Sequence, residues 1–301
     1  MDRRSFLVAA AAAPFALRAP APLAYATADT ESQVVVVDLS SGTIRHRIPT
    51  RPDPRSVERV GNVAVVAHTA VGAVSVLHGL TVRHMLDTFE EPRYTAGARD
   101  GRHAFVTDSG RVELLTVDLL RGEVVGRVKL RLWPRHLSLS RDGRTLWIGL
   151  GTASPELAVV DVSDPRRPRL TGRIKPAFAA HDVGFAPSGR VWVTAGEEHR
   201  ISAHGRLLEA GAAPQHVTFL RGRAFVTSGN DGTLQVYDEA SARLLHTTRI
   251  PVGSYNVQFA AGRVLTPSLN AGTLCVLDAN GNLRERVRVA SSSHDACLLP
   301  T

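Results

Sequence analysis

The chain has 301 residues, of which 44% are hydrophobic, and its mean hydropathy is −0.04. This composition allows a large buried core and excludes a disordered chain and one that lies within a membrane throughout. The formal net charge is +8, but almost all basic residues are arginines that are scattered along the chain. With only 5% aromatic residues, the sequence argues against a nucleic-acid-binding protein.

The N-terminal residues have the layout of an export signal. Arg3 and Arg4 precede an apolar run from Phe6 to Leu17, which a tail of Pro and Ala follows. The run is too short to cross a bilayer comfortably, and a pair of arginines before it is typical of twin-arginine signals. We therefore assign residues 1–22 to a signal segment whose cleavage site the sequence does not fix, with a buried N-terminal helix as the alternative. We expect a protein exported to the periplasm, cell envelope or medium by the twin-arginine route, without a stable membrane span.

After the signal, the predicted elements repeat with a period near 40 residues. Each unit often begins with Pro, continues with two mostly polar residues and an alternating strand, turns at Gly, and forms a second apolar strand. Units such as "PRYTAGARDGRHAFVTD", "PRHLSLSRDGRTLWIGL" and "PQHVTFLRGRAFVTS" share this pattern, and the seven units start at residues 54, 92, 134, 180, 214, 254 and 293. A period of this size with several short strands per unit predicts propeller blades.

Each unit continues with a third strand, as in "LQVYDEA", and a fourth, as in "EVVGRVKL". The chain begins after its signal with a second strand, "LAYAT", and ends with an unpartnered first strand, "DACLLP". Together these termini complete one blade and close the ring without a free sheet edge. The sequence thus predicts an all-β, seven-bladed propeller of four-stranded antiparallel blades in a single domain at residues 23–301, and we expect a monomer.

The units resemble the YVTN-type repeat of YncE-like propellers, with "AFVTD", "VWVTA" or "AFVTS" in several units where that repeat has Tyr-Val-x-Asn. The resemblance covers essentially the whole chain after the signal. It implies a seven-bladed propeller, often exported. It implies no single activity, because such propellers include enzymes, cofactor holders and binding modules.

The two residues before each innermost strand are predicted to form a ring of fourteen positions at one mouth of the central channel. Four of the 12 histidines fall in this ring, together with two aspartates, two tyrosines and three arginines. The ring reads Arg55-Ser56, Arg93-Tyr94, Arg135-His136, His181-Asp182, Gln215-His216, Tyr255-Asn256 and His294-Asp295. All except Ser56 and Gln215 are candidate ligand-binding residues, and we expect a small molecule or a protein to bind there.

Three kinds of site fit this ring. Neutral imidazoles with nearby carboxylates can hold a divalent transition metal, for which His136, His181, His216 and His294 are the candidate ligands. A histidine could instead act as a general base on a substrate held by an arginine, so the sequence leaves open whether the protein is an enzyme. The ring could also be structural or lined by water, and a basic propeller that binds nucleic acid or an anionic envelope polymer is a further alternative.

Other polar residues are predicted to be structural. The aspartates that end the third strands recur at one repeat position and are expected to form turns: Asp38, Asp118, Asp161, Asp238 and Asp278. Residues of the loops between second and third strands, including His68 and Asp108, are expected to be mostly solvated. Cys275 and Cys297 fall on non-neighbouring strands, which favours two buried thiols over a disulfide.

Overall fold

Seven four-stranded antiparallel sheets form a closed ring in the computed structural model, which describes residues 21–151 and 155–299. The predicted signal segment therefore lies almost wholly outside the described residues. In each blade the first strand is innermost, and the innermost strands of successive blades contact each other all the way round. The predicted all-β propeller is confirmed.

Six blades are continuous in sequence. Blade 1 contains β4 (Pro54–Val60), β5 (Val63–His68), β6 (Ala73–His78) and β7 (Thr81–Leu86), with a 3-10 turn at Thr69–Val71. Blade 2 contains β8 (Pro92–Gly97), β9 (His103–Asp108), β10 (Glu113–Asp118) and β11 (Glu123–Lys129). Blade 3 contains β12 (Leu137–Leu139), β13 (Thr145–Gly149), β14 (Leu157–Asp161) and β15 (Arg169–Ile174).

The other three continuous blades follow in the same order. Blade 4 contains β16 (Asp182–Phe185), β17 (Val191–Thr194), β18 (Arg200–Ala203) and β19 (Arg206–Glu209). Blade 5 contains β20 (Pro214–Leu220), β21 (Arg223–Ser228), β22 (Thr233–Asp238) and β23 (Leu244–Arg249). Blade 6 contains β24 (Gln258–Ala260), β25 (Arg263–Ser268), β26 (Thr273–Leu277) and β27 (Leu283–Arg288).

The closing blade joins both ends of the chain, as predicted. It contains β1 (Leu23–Ala28), β2 (Gln33–Asp38), β3 (Ile44–Pro49) and β28 (Ala296–Leu298), and its sheet order is β28-β1-β2-β3. Ala24 pairs with Leu298, and Ala26 pairs with Ala296. The innermost strand of this blade is therefore supplied by the C-terminal end of the chain.

The burial of each strand explains its composition. The second and third strands lie between two neighbouring blades and are apolar on both faces, as in "VAVVAH" of β5, where every residue is buried. The fourth strands lie at the outer rim, where "IRHRIP" of β3 exposes its arginines. β-Branched residues fill the shared faces because they pack well on a pleated surface.

The aspartates that end the third strands form turns, as expected. Asp38 Oδ1, for example, accepts the backbone N–H groups of Ser40 and Ser41. Arginines also pair with these carboxylates, as between Arg102 and Asp118 at 2.6 Å. Hydrogen bonds from the arginines favour the ionised form of these carboxylates. The guanidinium of Arg102, for example, lowers the pKa of Asp118 to about 2.

Cys275 and Cys297 are free thiols buried in adjacent blades, as the sequence favoured. In the ranges that the structure covers, no helix has the length and apolar character needed to cross a membrane.

Candidate metal centre in the channel

The seven second positions of the predicted ring lie inside the channel and not at an exposed mouth. Each of these side chains is at most 9% exposed: Ser56, Tyr94, His136, Asp182, His216, Asn256 and Asp295. Among the first positions, His181 and His294 are also buried, whereas the others are half-buried. The blades converge here, so the ring that the sequence places at a channel mouth is largely buried.

Three of the four candidate metal ligands come together. Each of His136, His181 and His216 offers a ring nitrogen, and the three atoms lie within 4.8 Å of one another. Nε2 of His136 and Nε2 of His181 lie 3.2 Å apart. Metal–nitrogen bonds of about 2.0–2.1 Å in tetrahedral geometry place two ligand nitrogens about 3.3 Å apart. This pair therefore has the separation that a shared ion requires.

The third imidazole is oriented by a carboxylate from the neighbouring blade. Nδ1 of His216 lies 3.4 Å from Oδ2 of Asp182, while its Nε2 is buried and has no hydrogen-bond partner among residues 21–151 and 155–299. A carboxylate beside one nitrogen favours the tautomer that leaves the lone pair on the other. Asp182 thus contacts the histidine one blade further on and not its sequence neighbour His181.

Burial favours the neutral form of two of these imidazoles, His136 and His181. It lowers the pKa of His136 well below its usual range, and the nearby His216, His181 and Arg135 add to this effect. The pKa of His181 is lowered in the same way, first by burial and then by the charges of Arg135 and His216. A neutral imidazole has the free lone pair that metal coordination needs.

The fourth candidate ligand, His294, lies apart from the cluster. Its Nδ1 is 2.9 Å from the carbonyl oxygen of Arg55 and 3.2 Å from the side-chain amide nitrogen of Asn256. Burial lowers its pKa well below the usual range as well, followed by the charge of Arg55. His294 therefore joins blade 6, the closing blade and blade 1, and is not among the three clustered ligands.

The aspartates of the two His-Asp pairs, Asp182 and Asp295, accept equivalent backbone hydrogen bonds. Asp182 accepts the backbone N–H of Val183 and, across the blade boundary, that of Val217. Asp295 accepts the N–H of Ala296 and, across its own boundary, that of Val57. The recurring aspartate therefore joins neighbouring innermost strands, and only Asp182 also faces a clustered histidine.

The remaining ring residues surround this layer. Tyr94 packs on His136, with ring centroids 3.6 Å apart. The guanidinium groups of Arg93 and Arg135 each lie 4.8 Å from the ring centroid of Trp133. Tyr255 donates its hydroxyl hydrogen to Asn230. Arg93 and Arg135 are thus half-buried and share contact with Trp133.

A threonine in the second strand supports the ring, and the sequence analysis did not identify it. Thr194 Oγ1 accepts the N–H of Asp182 and donates to the carbonyl of Gln215 in the next blade. Thr107 and Thr227 make equivalent bonds in blades 2 and 5. The signal was present in the sequence, because a threonine recurs in "YATA", "FVTD", "WVTA" and "FVTS".

Two loop residues expected to be solvated are buried. His68 is fully buried, with Nε2 2.6 Å from the hydroxyl of Ser75. Asp108 is also fully buried and accepts the N–H groups of Glu90 and Glu91. These side chains turn inward because each satisfies polar groups of its own blade, which makes them structural residues.

A cavity of about 390 Å³ extends from His136 and His216 along the inner faces of blades 1–6. Its lining comes from the innermost strands: Glu58 and residues 94–97, 136–139, 182–185, 187, 216–219 and 257–259. At its far end Phe259 is 54% exposed, so the cavity reaches solvent there. Burial, with the nearby Asp295, raises the pKa of Glu58 to about 8. The histidine cluster thus forms one end of an accessible cavity.

No protein-family profile and no curated protein matches this chain in sequence. Solved structures match its fold. A functionally unknown protein from Desulfotomaculum acetoxidans superposes with a TM-score of 0.79 at 10% identity, covering 92% of this chain and 98% of that one. Apo AztD from Citrobacter koseri gives 0.70 at 12% identity, with the same coverages. Kuenenia stuttgartiensis hydrazine synthase gives 0.69 at 16% identity, covering 84% and 91%. At these identities the likeness shows the fold alone.

Proposed function

We propose that this protein is a metal-binding β-propeller that holds a divalent transition metal on His136, His181 and His216. The observation that carries the proposal is the convergence of three ring nitrogens within 4.8 Å in a buried site. Imidazole nitrogens suit Zn²⁺, Cu²⁺, Ni²⁺ and Fe²⁺, whereas Mg²⁺ and Ca²⁺ prefer oxygen ligands. Three protein ligands leave a coordination position for a small molecule, as in open metal sites.

The second layer of the site supports this proposal. The Asp182 carboxylate next to Nδ1 of His216 is the arrangement that fixes metal-binding imidazoles in many proteins. Among the described residues, Nε2 of His216 is buried and has no hydrogen-bond partner. Buried nitrogens left without partners are costly in a structural cluster, and a coordinated ion removes that cost for the nitrogens that bind it.

The experiment is a measurement of metal content by elemental mass spectrometry on protein exported by its own signal. We expect close to one equivalent of a single transition metal in wild type and its loss in His136→Ala/His216→Ala. The matched control is His46→Ala/His78→Ala, which removes two exposed histidines outside the channel and leaves the content unchanged. Absence of metal from wild type, or its retention in the channel variant, overturns the proposal.

We also retain as proposals the YncE-like family assignment, supported by the repeat pattern, and export by the twin-arginine route, supported by Arg3-Arg4. Nucleic-acid binding is less well supported, because arginines such as Arg45 and Arg284 are held in ion pairs with Asp38 and Asp278. Partial neutralisation of this kind lowers the charge available to a polyanion.

A further inference from the structure

The cavity beside the histidine cluster has one polar end and one apolar end. His136 and His216 line the first, so an ion bound by them faces the cavity. At the other end lie Phe185, Phe219 and Phe259, which are at or next to the last residues of β16, β20 and β24. An apolar wall this close to a polar centre is typical of small-molecule sites, in which a few polar groups fix the orientation.

The distance between the two ends sets the size of the occupant. His136 precedes β12, and Leu139 ends it, so the two residues are separated by about 10 Å along an extended strand. The cavity volume of about 390 Å³ lies within the range of small-molecule pockets. A molecule of one or two rings is long enough to reach from the ion to the phenylalanines.

The charges in the cavity argue against an ionic occupant. No arginine or lysine is among the described residues that line it, so an anion finds no basic side chain there. Its carboxylates are Asp182 and Glu58, and the oxygens of Asp182 already accept the N–H groups of Val183 and Val217.

The exposure of Phe259 also favours an uncharged, apolar ligand. Its side chain is 54% exposed, more than those of Phe185 and Phe219. A polar residue at this position of β24 would not disturb the core. An exposed phenylalanine beside an apolar cavity gains stability when a ligand covers it.

We propose that this cavity binds a small, uncharged, largely aromatic molecule that carries a nitrogen or sulfur donor, and that the donor completes the coordination of the metal. The aromatic body lies against Phe185, Phe219 and Phe259, and the donor occupies the position that the three histidines leave open. This inference rests on the proposed metal site and adds to it the class of ligand.

The test uses the full protein loaded with Co²⁺, whose visible absorption reports a change of ligand. Imidazole and 4-phenylimidazole share one donor and differ by a phenyl group. We expect 4-phenylimidazole to bind at least tenfold more tightly than imidazole to wild type, because the phenyl group leaves water for the apolar wall. In Phe219→Ala/Phe259→Ala the preference falls below threefold, while the affinity for imidazole is unchanged.

Leu120→Ala is the matched control, because Leu120 is an apolar residue that is 64% exposed and lies outside the cavity. We expect this variant to prefer 4-phenylimidazole over imidazole as strongly as wild type does. Co²⁺ binding without a phenyl preference, or a preference that survives in the double variant, overturns this inference and leaves the metal site standing. Failure to bind Co²⁺ overturns both. Phe259→Ala alone, at an exposed position, keeps the test valid if the double variant does not fold.

Discussion

Asp295 accepts a hydrogen bond from the backbone N–H of Val57 at 3.0 Å, although 238 residues separate them in sequence. The bond joins the closing blade to blade 1, the boundary at which the ring meets itself. Asp182 makes the same bond to Val217 between blades 4 and 5. The repeated aspartate therefore acts between blades and not within its own pair with histidine.

Asp295→Ala is expected to destabilise the protein by about 2–4 kcal/mol, because it leaves the buried N–H groups of Val57 and Ala296 without an acceptor. The shift of the urea unfolding midpoint measures this. Asp87→Ala, at a carboxylate that is 58% exposed, should shift it little. Equal shifts for the two variants would contradict a role in joining the blades.

Gly149→Ala is expected to weaken metal binding without removing a ligand. A Cβ at Gly149 would lie 2.9 Å from the backbone carbonyl oxygen of His181, so the backbone that positions this imidazole must move. Isothermal titration with Zn²⁺ should show at least a tenfold lower affinity. The control is Gly172→Ala, where an added Cβ meets nothing within 4 Å. Unchanged affinity in both would show that the position of His181 does not limit binding.

Glu58→Gln is expected to change how stability depends on pH. Burial and the charge of Asp295 raise the pKa of Glu58 from 4.5 to about 8, so the ionised carboxylate is less favourable in the folded protein than in the unfolded chain. That penalty is absent below about pH 4.5, grows between pH 4.5 and 8, and is constant at higher pH. The free energy of unfolding of the variant, relative to that of wild type, should therefore rise by about 2 kcal/mol between pH 5 and pH 8.5. This value is smaller than the full pKa shift implies, because the side chain is partly exposed to the cavity.

Metal-free protein is used for this comparison, by urea unfolding at both pH values. Asp29 and Asp295, whose pKa values burial raises to about 7, titrate in both proteins. Asp29 therefore cancels in the difference between wild type and variant, which reports Glu58 together with its interaction with Asp295. Glu123→Gln supplies the control, because it removes an exposed carboxylate outside the cavity. A Glu58→Gln gain that is the same at both pH values would contradict the raised pKa.

Arg3→Lys/Arg4→Lys is expected to abolish export, because the twin-arginine translocase recognises the arginine pair itself and lysine does not replace it. Cell fractionation and immunoblotting measure the exported fraction. Arg18→Lys keeps the pair and should be exported like wild type. Export of the twin-lysine variant, or export from cells that lack the translocase, would show another route.

The sequence was sufficient to predict the fold because the propeller repeats one simple pattern. Strand alternation and glycine turns place β8 and β20 in equivalent positions, and "LAYAT" with "DACLLP" predicts the shared blade. The candidate ring could be located for the same reason. Its chemistry could not be resolved, because the repeat assigns a position to each residue but does not assign its side-chain partner.

The separation of His294 from the other three histidines shows this limit. His181 and His294 occupy the same repeat position, yet only His181 faces His136, while His294 contacts Arg55 across the closing boundary. The difference arises from the blades on either side, which supply another imidazole in one case and a backbone carbonyl in the other. Similarly, His68 and Asp108 fall in loop positions by pattern but are buried by their local hydrogen bonds.

The shared blade also determines the order in which the molecule can fold. Six sheets are built from hairpins that are local in sequence, whereas the pairing of β1 with β28 brings together strands about 270 residues apart. Contacts of such long range carry the largest entropy cost of loop closure and form late. We therefore expect an open arc of blades to precede the closed ring, with the bond from Leu299 to Leu23 among the last to form.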